Sequence, residues 1–420
     1  MSKPDYDVIV IGGGMVGGSL AALLADQRLA VAVVEAAGEA HFDEDSDIGL
    51  RVSAVSSTSR VLLERLGAWR AIAAARDGHG VSPYGAMHVW DAASPPDSRE
   101  ALHFDSADVG EPQLGHIVEN QLITWAIARR LAKRREVTLF APASLASLEL
   151  DARTATVTLD DGRTLSARLV VGADGAGSQT RECAGIDVTG WSYGQRALVT
   201  HIRTEQDHER TAWQRFLPDG PLALLPLADG RLSVVWSTLP DHAAELEGMD
   251  EADFHAALAA GADRVLGGVT ESGPRASFPL RLQHAKQYTG QRVALVGDAV
   301  HAVHPLAGQG LNMGFLDAAA LAEVIADGLR DDQDIGDPVV LRQYERWRKG
   351  HNVAMMGSLD VLKRLFGARH EGVALLRRAG LGLVNGNRFA REQFVRAAMG
   401  SVGRVPRLLQ TSGQEWTDAD

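Results

Sequence analysis

Three acidic residues, Glu35, Asp174 and Asp298, each stand at the end of a short run of apolar residues. Such runs predict buried strands, so each carboxylate is expected at a strand end, where it can accept hydrogen bonds from sugar hydroxyls. Glycines cluster around all three segments, and glycine permits the tight turns and close backbone approaches that phosphate groups require. The pattern predicts binding of a ligand that carries both hydroxyls and phosphates.

The first of these segments is Gly12-Gly13-Gly14-Met15-Val16-Gly17, which lies between a predicted strand and a predicted helix. Gly12 permits the tight turn, Gly14 lets the backbone approach a pyrophosphate, and Gly17 lets the helix pack closely on the strand. Glu35 ends the next predicted strand, where an acid binds ribose hydroxyls and disfavours the 2′-phosphate of NADP. The segment predicts dinucleotide binding and leaves NAD and FAD open.

The other two segments favour FAD. Asp174 and Gly175 follow the apolar run at 169–171, and Gly297 and Asp298 follow the run at 293–296. The helix predicted after the latter begins near Gly308-Gln309-Gly310, so its free N–H groups and positive dipole end face whatever lies above it. A flavin needs a hydroxyl acceptor for its ribitol, and its reduced ring carries negative charge. Three such sites exceed what an NAD dehydrogenase uses.

Composition bounds the class of protein. The 420 residues are 45% apolar and 23% charged, which suits a globular protein of two or three lobes. The single cysteine, Cys183, excludes an intrachain disulfide, a cysteine-based zinc site and an iron–sulfur cluster. We predict no metal site, and we expect a cytoplasmic protein because neither a signal peptide nor an apolar run of about 18 residues is visible.

Charge is distributed unevenly along the chain. The net charge of −12 argues against nucleic-acid binding. Residues 346–407 nevertheless contain 13 Lys and Arg against 3 Asp and Glu. A basic C-terminal region on an acidic protein requires an explanation.

The pattern of elements predicts a discontinuous α/β domain with an inserted sheet. We assign 1–75, 110–185 and 285–345 to the FAD-binding domain, 76–109 and 186–284 to a substrate-binding sheet domain, and 346–420 to a basic helical C-terminal region. Within the first two, Ser53–Leu66 has helical spacing and Trp90–Arg99 has the composition of a surface loop.

The order of these motifs resembles the single-component FAD-dependent aromatic hydroxylases of the para-hydroxybenzoate hydroxylase type. Further strings resemble the FAD-dependent hydroxylases of ubiquinone biosynthesis: Leu50–Ser56, Leu66–Trp69, Gly115–Asn120, Phe278–Leu280, His304–Asn312, Asp334–Gly336 and Tyr344–Arg346. The resemblance covers nearly the whole chain and is specific for the family. It implies a para-hydroxybenzoate hydroxylase-like, Rossmann-type FAD-binding domain with an inserted, mostly antiparallel substrate sheet and a C-terminal helical region.

The same resemblance implies roles for individual residues. Arg51 would contact the pyrophosphate region, Asp298 the ribitol, and one of Glu119, Asn120 and Gln121 would also contact the ribitol. Asp174 and Gly175 would belong to a motif linked to both FAD and nicotinamide. The predicted cofactor-binding residues are Gly12, Gly14, Gly17, Glu35, Arg51, Asn120, Gln121, Asp174, Gly175, Gly297, Asp298, Pro305, Gly308, Gln309, Gly310, Leu311 and Asn312.

The family mechanism would use NAD(P)H and O₂ and would hydroxylate a polyprenylated phenol through a flavin C4a-hydroperoxide. Such chemistry requires a closed apolar pocket. Candidate pocket residues are Leu225, Trp236, Phe278 and Pro305, although any one of them can equally belong to an ordinary sheet core. No general base, ring position, prenyl length, oligomeric state or electron donor is predicted.

Several alternatives stay open. Residues 357–378 alternate apolar and basic positions, which favours either contact with the inner face of an anionic membrane, contact with other ubiquinone-biosynthesis proteins, or packing on the acidic body of the chain. The substrate could instead be a soluble aromatic compound. The protein could also be a lipid-acting FAD reductase, or a structural subunit that keeps FAD only for folding.

Overall fold

The structure is a computed structural model that describes residues 3–98, 101–303, 308–367 and 403–410. Within these residues two large sheets and one small sheet are linked by nine α-helices. The α/β class predicted from the sequence is confirmed.

The first sheet has eight strands and a parallel centre. Its path runs β18-β19-β11-β1-β2-β8, and β10 and β9 extend it from β11. The central strands are continuous runs of Val, Ile, Leu and Ala that are buried on both faces, as parallel strands covered by helices require. Its strands are β1 (Tyr6–Ile11), β2 (Val31–Val34), β8 (Val137–Phe140), β9 (Leu145–Leu150), β10 (Ala155–Leu159), β11 (Thr164–Gly172), β18 (Thr289–Gly290) and β19 (Val293–Leu295).

Helices cover this sheet and build the main core. Apolar residues of the first, fourth, eighth and ninth helices pack with Val8, Val10 and Val171 in one buried cluster. The helices of this part are α1 (Met15–Asp26), α2 (Ser57–Arg65), α3 (Trp69–Gly78), α4 (Asn120–Leu131), α5 (Gln179–Cys183), α8 (Gln309–Arg330) and α9 (Pro338–Gly367).

The second sheet is mostly antiparallel, as predicted for the insertion, and has nine strands. Its path is β20-β17-β12-β15-β14-β13-β5-β6, with β16 also pairing with β12. Two helices, α6 (Pro240–Gly248) and α7 (Glu251–Gly261), cover one face through a core that includes Leu222, Val234 and Phe254. The strands are β5 (Ala86–Asp91), β6 (Leu102–Asp105), β12 (Val188–Thr204), β13 (Thr211–Leu217), β14 (Gly220–Pro226), β15 (Leu232–Thr238), β16 (Val269–Ser272), β17 (Ala276–Ala285) and β20 (His301–Ala302).

A third, three-stranded sheet is formed by β3 (Val52–Ser56), β7 (Gly115–Glu119) and β4 (Val81–Tyr84). The segment 76–109 is therefore divided between two sheets, because β4 pairs with β7 while β5 and β6 join the large sheet. Buried Ala54 and Ile117 of the small sheet pack against Leu227, which follows β14. The small sheet thus connects the two large ones.

Two local predictions were wrong. Ser53–Ser56 belongs to β3, because it pairs with β7, and Ser56 then accepts the N–H of Ser59 as the N-cap of α2. Trp90 lies in β5 and is 1% exposed, so the loop begins only after Asp91. In both cases pairing with a distant strand outweighed local composition.

Candidate cofactor site

The glycine turn after β1 leaves room for a ligand at one position only. A Cβ on Gly12, whose φ is +101°, would lie 2.4 Å from the carbonyl oxygen of Ala173, and a Cβ on Gly17 would lie 2.0 Å from that of Gly12. A Cβ on Gly14 would meet nothing within 4 Å. Gly12 and Gly17 therefore serve close packing, while the backbone of Gly14 faces open space at the start of α1. That arrangement fits a phosphate at the helix N-terminus.

Glu35 joins the glycine turn to the loop after β2. The N–H of Gly13 donates to its Oε2 (2.7 Å), and the N–H of Ala37 donates to its Oε1 (2.8 Å). Each carboxylate oxygen has two acceptor positions, so both can still accept a ribose hydroxyl. The backbone thus holds the carboxylate of Glu35, the predicted partner of the ribose hydroxyls, in a fixed orientation.

The turn after β19 lies at the same edge of the sheet as the glycine turn. Strand β1 pairs in parallel with β11, and β11 pairs in parallel with β19, so their carboxyl ends are neighbours. A Cβ on Gly297, whose φ is +62°, would lie 3.2 Å from Val16 in the first turn of α1. The structure therefore brings together the first and third predicted segments.

Asp298 is the acid with free hydrogen-bonding capacity in this turn. Its side chain is exposed, and among the described residues no donor binds it. Surrounding protein raises the pKa of its carboxyl by desolvation, an effect that His301 and Arg51 oppose. Arg51 lies close enough to interact with this carboxylate electrostatically.

Asp174 has a different role from Asp298. Its carboxylate accepts the Ser178 hydroxyl (2.5 Å) and both the N–H (2.9 Å) and the hydroxyl (3.0 Å) of Thr180. Gly175, with φ +79°, makes the turn. These side-chain contacts shape the segment itself rather than leaving Asp174 free.

Arg181 connects this segment to the turn after β19 and was missed in the sequence. Its guanidinium is buried and donates to the carbonyl oxygens of Ala176 (3.0 Å) and Ala299 (3.0 Å). The only signal for it is an arginine close to an Asp-Gly turn, and its distant partner on residue 299 cannot be read from the sequence.

The side chain of Asn312, predicted to contact the cofactor, is saturated by protein groups. Its Oδ1 accepts from the N–H of Ser56 (3.0 Å) and the hydroxyl of Ser59 (2.7 Å). Its Nδ2 donates to the carbonyl oxygens of Ala54 (2.9 Å) and Gly308 (3.2 Å). Asn312 therefore fixes the start of α8 against the small sheet, and its side chain has no free hydrogen-bonding position for a ligand.

The remaining residues of the loop surround this start. Gly308 adopts φ +61°, and a Cβ there would lie 2.8 Å from that of Ala54. Gln309 is buried, whereas Gly310 and Leu311 are partly exposed. Pro305 and His304 lie outside the described residues.

The polar residues at the start of α4 point in three directions. Asn120 Oδ1 accepts the Ser53 hydroxyl (2.6 Å), and Gln121 Nε2 donates to the carbonyl oxygen of His41 (2.9 Å). Glu119 is buried and pairs with Arg76 (2.9 Å). Each of the three side chains therefore has a protein partner within 3 Å.

A buried ionic network lies directly behind the Gly297–Asp298 turn. Asp317, on α8, accepts from His301 Nε2 (2.5 Å), Arg348 Nε (2.7 Å) and Asn352 Nδ2 (3.0 Å), and more weakly from the N–H of Gly297 (3.3 Å). Burial would raise the pKa of Asp317, but His301 and Arg348 outweigh it and lower the pKa to about 2. His301 is therefore engaged by a carboxylate within the protein core.

Two of the pocket candidates, Leu225 and Trp236, lie on opposite faces of the nine-stranded sheet. Leu225 packs beside Ala54 and Ile117, close to Gly308. Trp236 belongs to the core on the opposite, helix-covered face, where its ring would lie 2.9 Å from a Cβ on Gly261. Phe278 is 44% exposed.

Part of the basic C-terminal region packs on the chain itself. Arg404 and Arg407 both contact Glu323 (3.3 and 3.2 Å), and the Arg404 guanidinium lies 3.9 Å from the Trp347 ring centre. Most of 357–378 lies outside the residues whose side chains are described. Within the described part of the chain, no helix is long and apolar enough to cross a bilayer.

Comparisons with known proteins agree with this geometry. The FAD binding domain family matches residues 5–357. The chain is 39% identical to a ubiquinone hydroxylase of Rhodospirillum rubrum, UbiL, over 96% of this chain and 92% of that protein. It is 36% identical to the 3-demethoxyubiquinol 3-hydroxylase of Escherichia coli, over 95% and 100%. The crystal structure of p-nitrophenol 4-monooxygenase from Pseudomonas putida shares the fold, with a TM-score of 0.73 and 19% identity over 95% and 99%.

Proposed function

The chain belongs to the family of FAD-binding hydroxylases that includes the ubiquinone hydroxylases, and we propose that it hydroxylates the aromatic ring of a polyprenylated phenol in ubiquinone biosynthesis. One observation carries the substrate class. Relatives named for ubiquinone chemistry align with more than nine-tenths of this chain and of themselves. The enzyme class, an FAD-dependent oxidoreductase, follows from the family itself.

The residues at the strand ends fit FAD. Open space at Gly14 suits the pyrophosphate, the spare acceptor capacity of Glu35 suits the ribose, and the exposed carboxylate of Asp298 suits the ribitol. When bound, FAD supplies the redox chemistry, with NAD(P)H as the proposed reductant and O₂ as the proposed oxygen source.

The protein's own part is orientation and exclusion of water. Asp317 and Asn312 hold the two backbone segments on either side of residues 304–307. Leu225, Ala54 and Ile117 provide apolar surface where the large sheet meets the small one. An apolar site of this kind limits competing reactions with water. No side chain among the described residues is assigned as a general base.

The decisive experiment supplies the FAD-loaded protein with a prenylated phenol, NADH or NADPH, and ¹⁸O₂. Mass spectrometry should find one ¹⁸O atom in the product, with no incorporation from H₂¹⁸O. The Asp298→Ala variant, loaded to the same FAD content, is the matched control: turnover that depends on the cofactor site should be lower in it than in wild type. Reduced nicotinamide consumed without oxygen uptake would instead identify a lipid-acting reductase, and labelling of an untailed phenol alone would favour a soluble aromatic substrate.

The basic C-terminal region is proposed to contact an anionic membrane or a biosynthetic partner. Because Arg404 and Arg407 are already paired with α8, the contact would depend on the cations between 357 and 402. A truncation after 357 should abolish pelleting with anionic vesicles while a neutral-vesicle control stays unbound. Unchanged pelleting of a folded truncated protein would refute the membrane contact.

A further inference from the structure

Large apolar side chains are exposed on two paired strands of the nine-stranded sheet. Trp191 on β12 is 48% exposed and Phe278 on β17 is 44% exposed. An isolated exposed apolar residue needs no explanation, but a contiguous group of them commonly marks a binding surface. The register of the two strands decides whether these belong to one group.

Residues directly opposite each other in an antiparallel pair project from the same face. Trp191 pairs with Leu282, and Ala197 pairs with Phe278. Alternate residues of β17 also share a face, so Phe278, Leu280 and Leu282 lie in line. Together with Trp191 they form one group of neighbouring apolar side chains, which we call the apolar row. Trp191 and Phe278 are exposed, Leu282 is partly exposed, and Leu280 between them is 8% exposed.

The apolar row shares its face with Leu225. Val199 lies two residues after Ala197, the partner of Phe278, and it pairs with Val235 on β15. Ser233 lies two residues before Val235 and pairs with Leu225 on β14. Because alternate residues of a strand share a face, Leu225 and the row lie on the same side of the sheet. The other side carries Trp236 and the core beneath α6 and α7. The row therefore lies on the face that meets the small sheet near Gly308.

One end of the row reaches the edge where the cofactor segment joins the sheet. Strand β20 pairs its Ala302 with Gln283, the residue after Leu282. Helix α8 begins at Gln309, seven residues after Ala302 in the sequence. From Phe278 to Leu282 the row is ~13 Å long at about 3.3 Å per residue.

We infer that the apolar row binds the hydrocarbon tail of the substrate as the tail leaves the ring pocket. The inference rests on the proposed function and specifies it further. A polyprenyl chain joined to a ring beside Leu225 must leave the pocket over some surface. The row is apolar, lies on the same face as Leu225, and is exposed at Trp191 and Phe278. Covering it with an isoprenoid chain removes apolar area from water.

The test uses the FAD-loaded protein and two kinds of probe. The first is a set of phenols with no tail, one isoprene unit and several units, for which the gain in kcat/KM per added unit is measured. The second is farnesol, a polyprenyl alcohol without a ring, whose binding is measured by equilibrium dialysis. The variant is Trp191→Ser combined with Leu282→Ser, and the control combines Leu139→Ser with Leu239→Ser, which are 49% and 46% exposed elsewhere.

In the row variant, we expect the increase in kcat/KM that the tail provides to be about tenfold smaller than in wild type. We also expect its affinity for farnesol to be about tenfold lower, because apolar contacts with the chain are lost. The control variant should match wild type in both. Equal tail dependence in the row variant and wild type would overturn the inference. So would a defect seen only with vesicles present, which would identify a membrane contact, or a change only in oligomeric state.

Failure of the proposed function is distinguishable from failure of this inference. Wild-type protein that binds farnesol through the row but hydroxylates none of the phenols would refute the substrate while supporting an isoprenoid-binding surface. If wild-type protein hydroxylates tailed phenols and the row variant does so with the same tail dependence, the proposed function would be supported and the tail-binding role of the row would be refuted.

Discussion

Asp317 Oδ2 lies 2.5 Å from His301 Nε2, and both side chains are fully buried. The contact joins α8 to the strand that leaves the Gly297–Asp298 turn. The same carboxylate receives Arg348 from α9, so three segments around the cofactor site meet at one charge. The position of the turn therefore depends on a group that does not itself reach the ligand.

Replacing Asp317 with Asn should destabilise the protein strongly, because Arg348 and His301 would lose a buried anionic partner. We expect a loss of roughly 3–5 kcal/mol in the free energy of unfolding. Chemical denaturation measures it, and FAD retention should fall with it. As a matched control, Asp331→Asn changes an exposed acid after α8 and should be near neutral.

The same pair predicts a pH dependence with a defined sign. The pKa of Asp317 is about 2 in the folded protein against 3.8 for a free carboxyl. A lowered pKa adds stability above the unfolded value and loses it as the pH falls through the folded value. The advantage of wild type over Asp317→Asn should therefore be full above about pH 4 and decline toward pH 2. If the unfolding free energies of wild type and Asp317→Asn changed in parallel with pH, the ion pair would be contradicted.

Gly14→Ala should separate ligand binding from folding. A Cβ there meets nothing, so thermal stability without FAD should change by less than about 1 kcal/mol, whereas FAD affinity should fall at least tenfold if the pyrophosphate occupies that space. Gly17→Ala should instead prevent proper folding, since its Cβ would overlap the carbonyl oxygen of Gly12. Gly38→Ala, also in open space, is the control. Titration followed by FAD fluorescence measures the affinity, and thermal unfolding without FAD measures the stability.

Glu35→Lys should weaken FAD binding. It removes the acceptor for the N–H groups of Gly13 and Ala37 and places a cation where ribose hydroxyls are expected. A loss of at least tenfold in affinity is expected from the hydrogen bond to the ligand that can no longer form. Glu39→Lys makes the same charge change at an exposed position nearby. Equal affinity in the two variants would remove Glu35 from the site.

Asp298→Ala should lower FAD retention with little effect on the stability of the FAD-free protein. Its carboxylate receives no hydrogen bond from the described residues, and its raised pKa indicates that the fold does not favour its charge. Removing such a group costs the protein little and costs the ligand an acceptor. Gel filtration followed by the absorbance ratio of flavin to protein is the measurement. Full occupancy in the variant would exclude the ribitol role.

The sequence was most informative where function depends on backbone shape. The predictions of β1, the glycine turn and the ends of β11 and β19 needed only local patterns, since apolar runs and glycines fix them. Asn312 illustrates the limit. The sequence predicted that it belongs to a cofactor motif, but its four hydrogen-bond partners lie mostly in a segment more than 250 residues away.

The sequence by itself determined the family, the strand ends that carry glycines and acids, and the presence of an inserted sheet, because these follow from residue type and short-range spacing. Only the tertiary structure decided which strand face Trp236 and Leu225 occupy, since alternation defines two faces without saying which one helices cover. It also decided that Asp317 is a buried ion-pair partner and Asp298 an exposed acid. The partners that set the environment of a charge come from distant parts of the chain, and only folding brings them into contact.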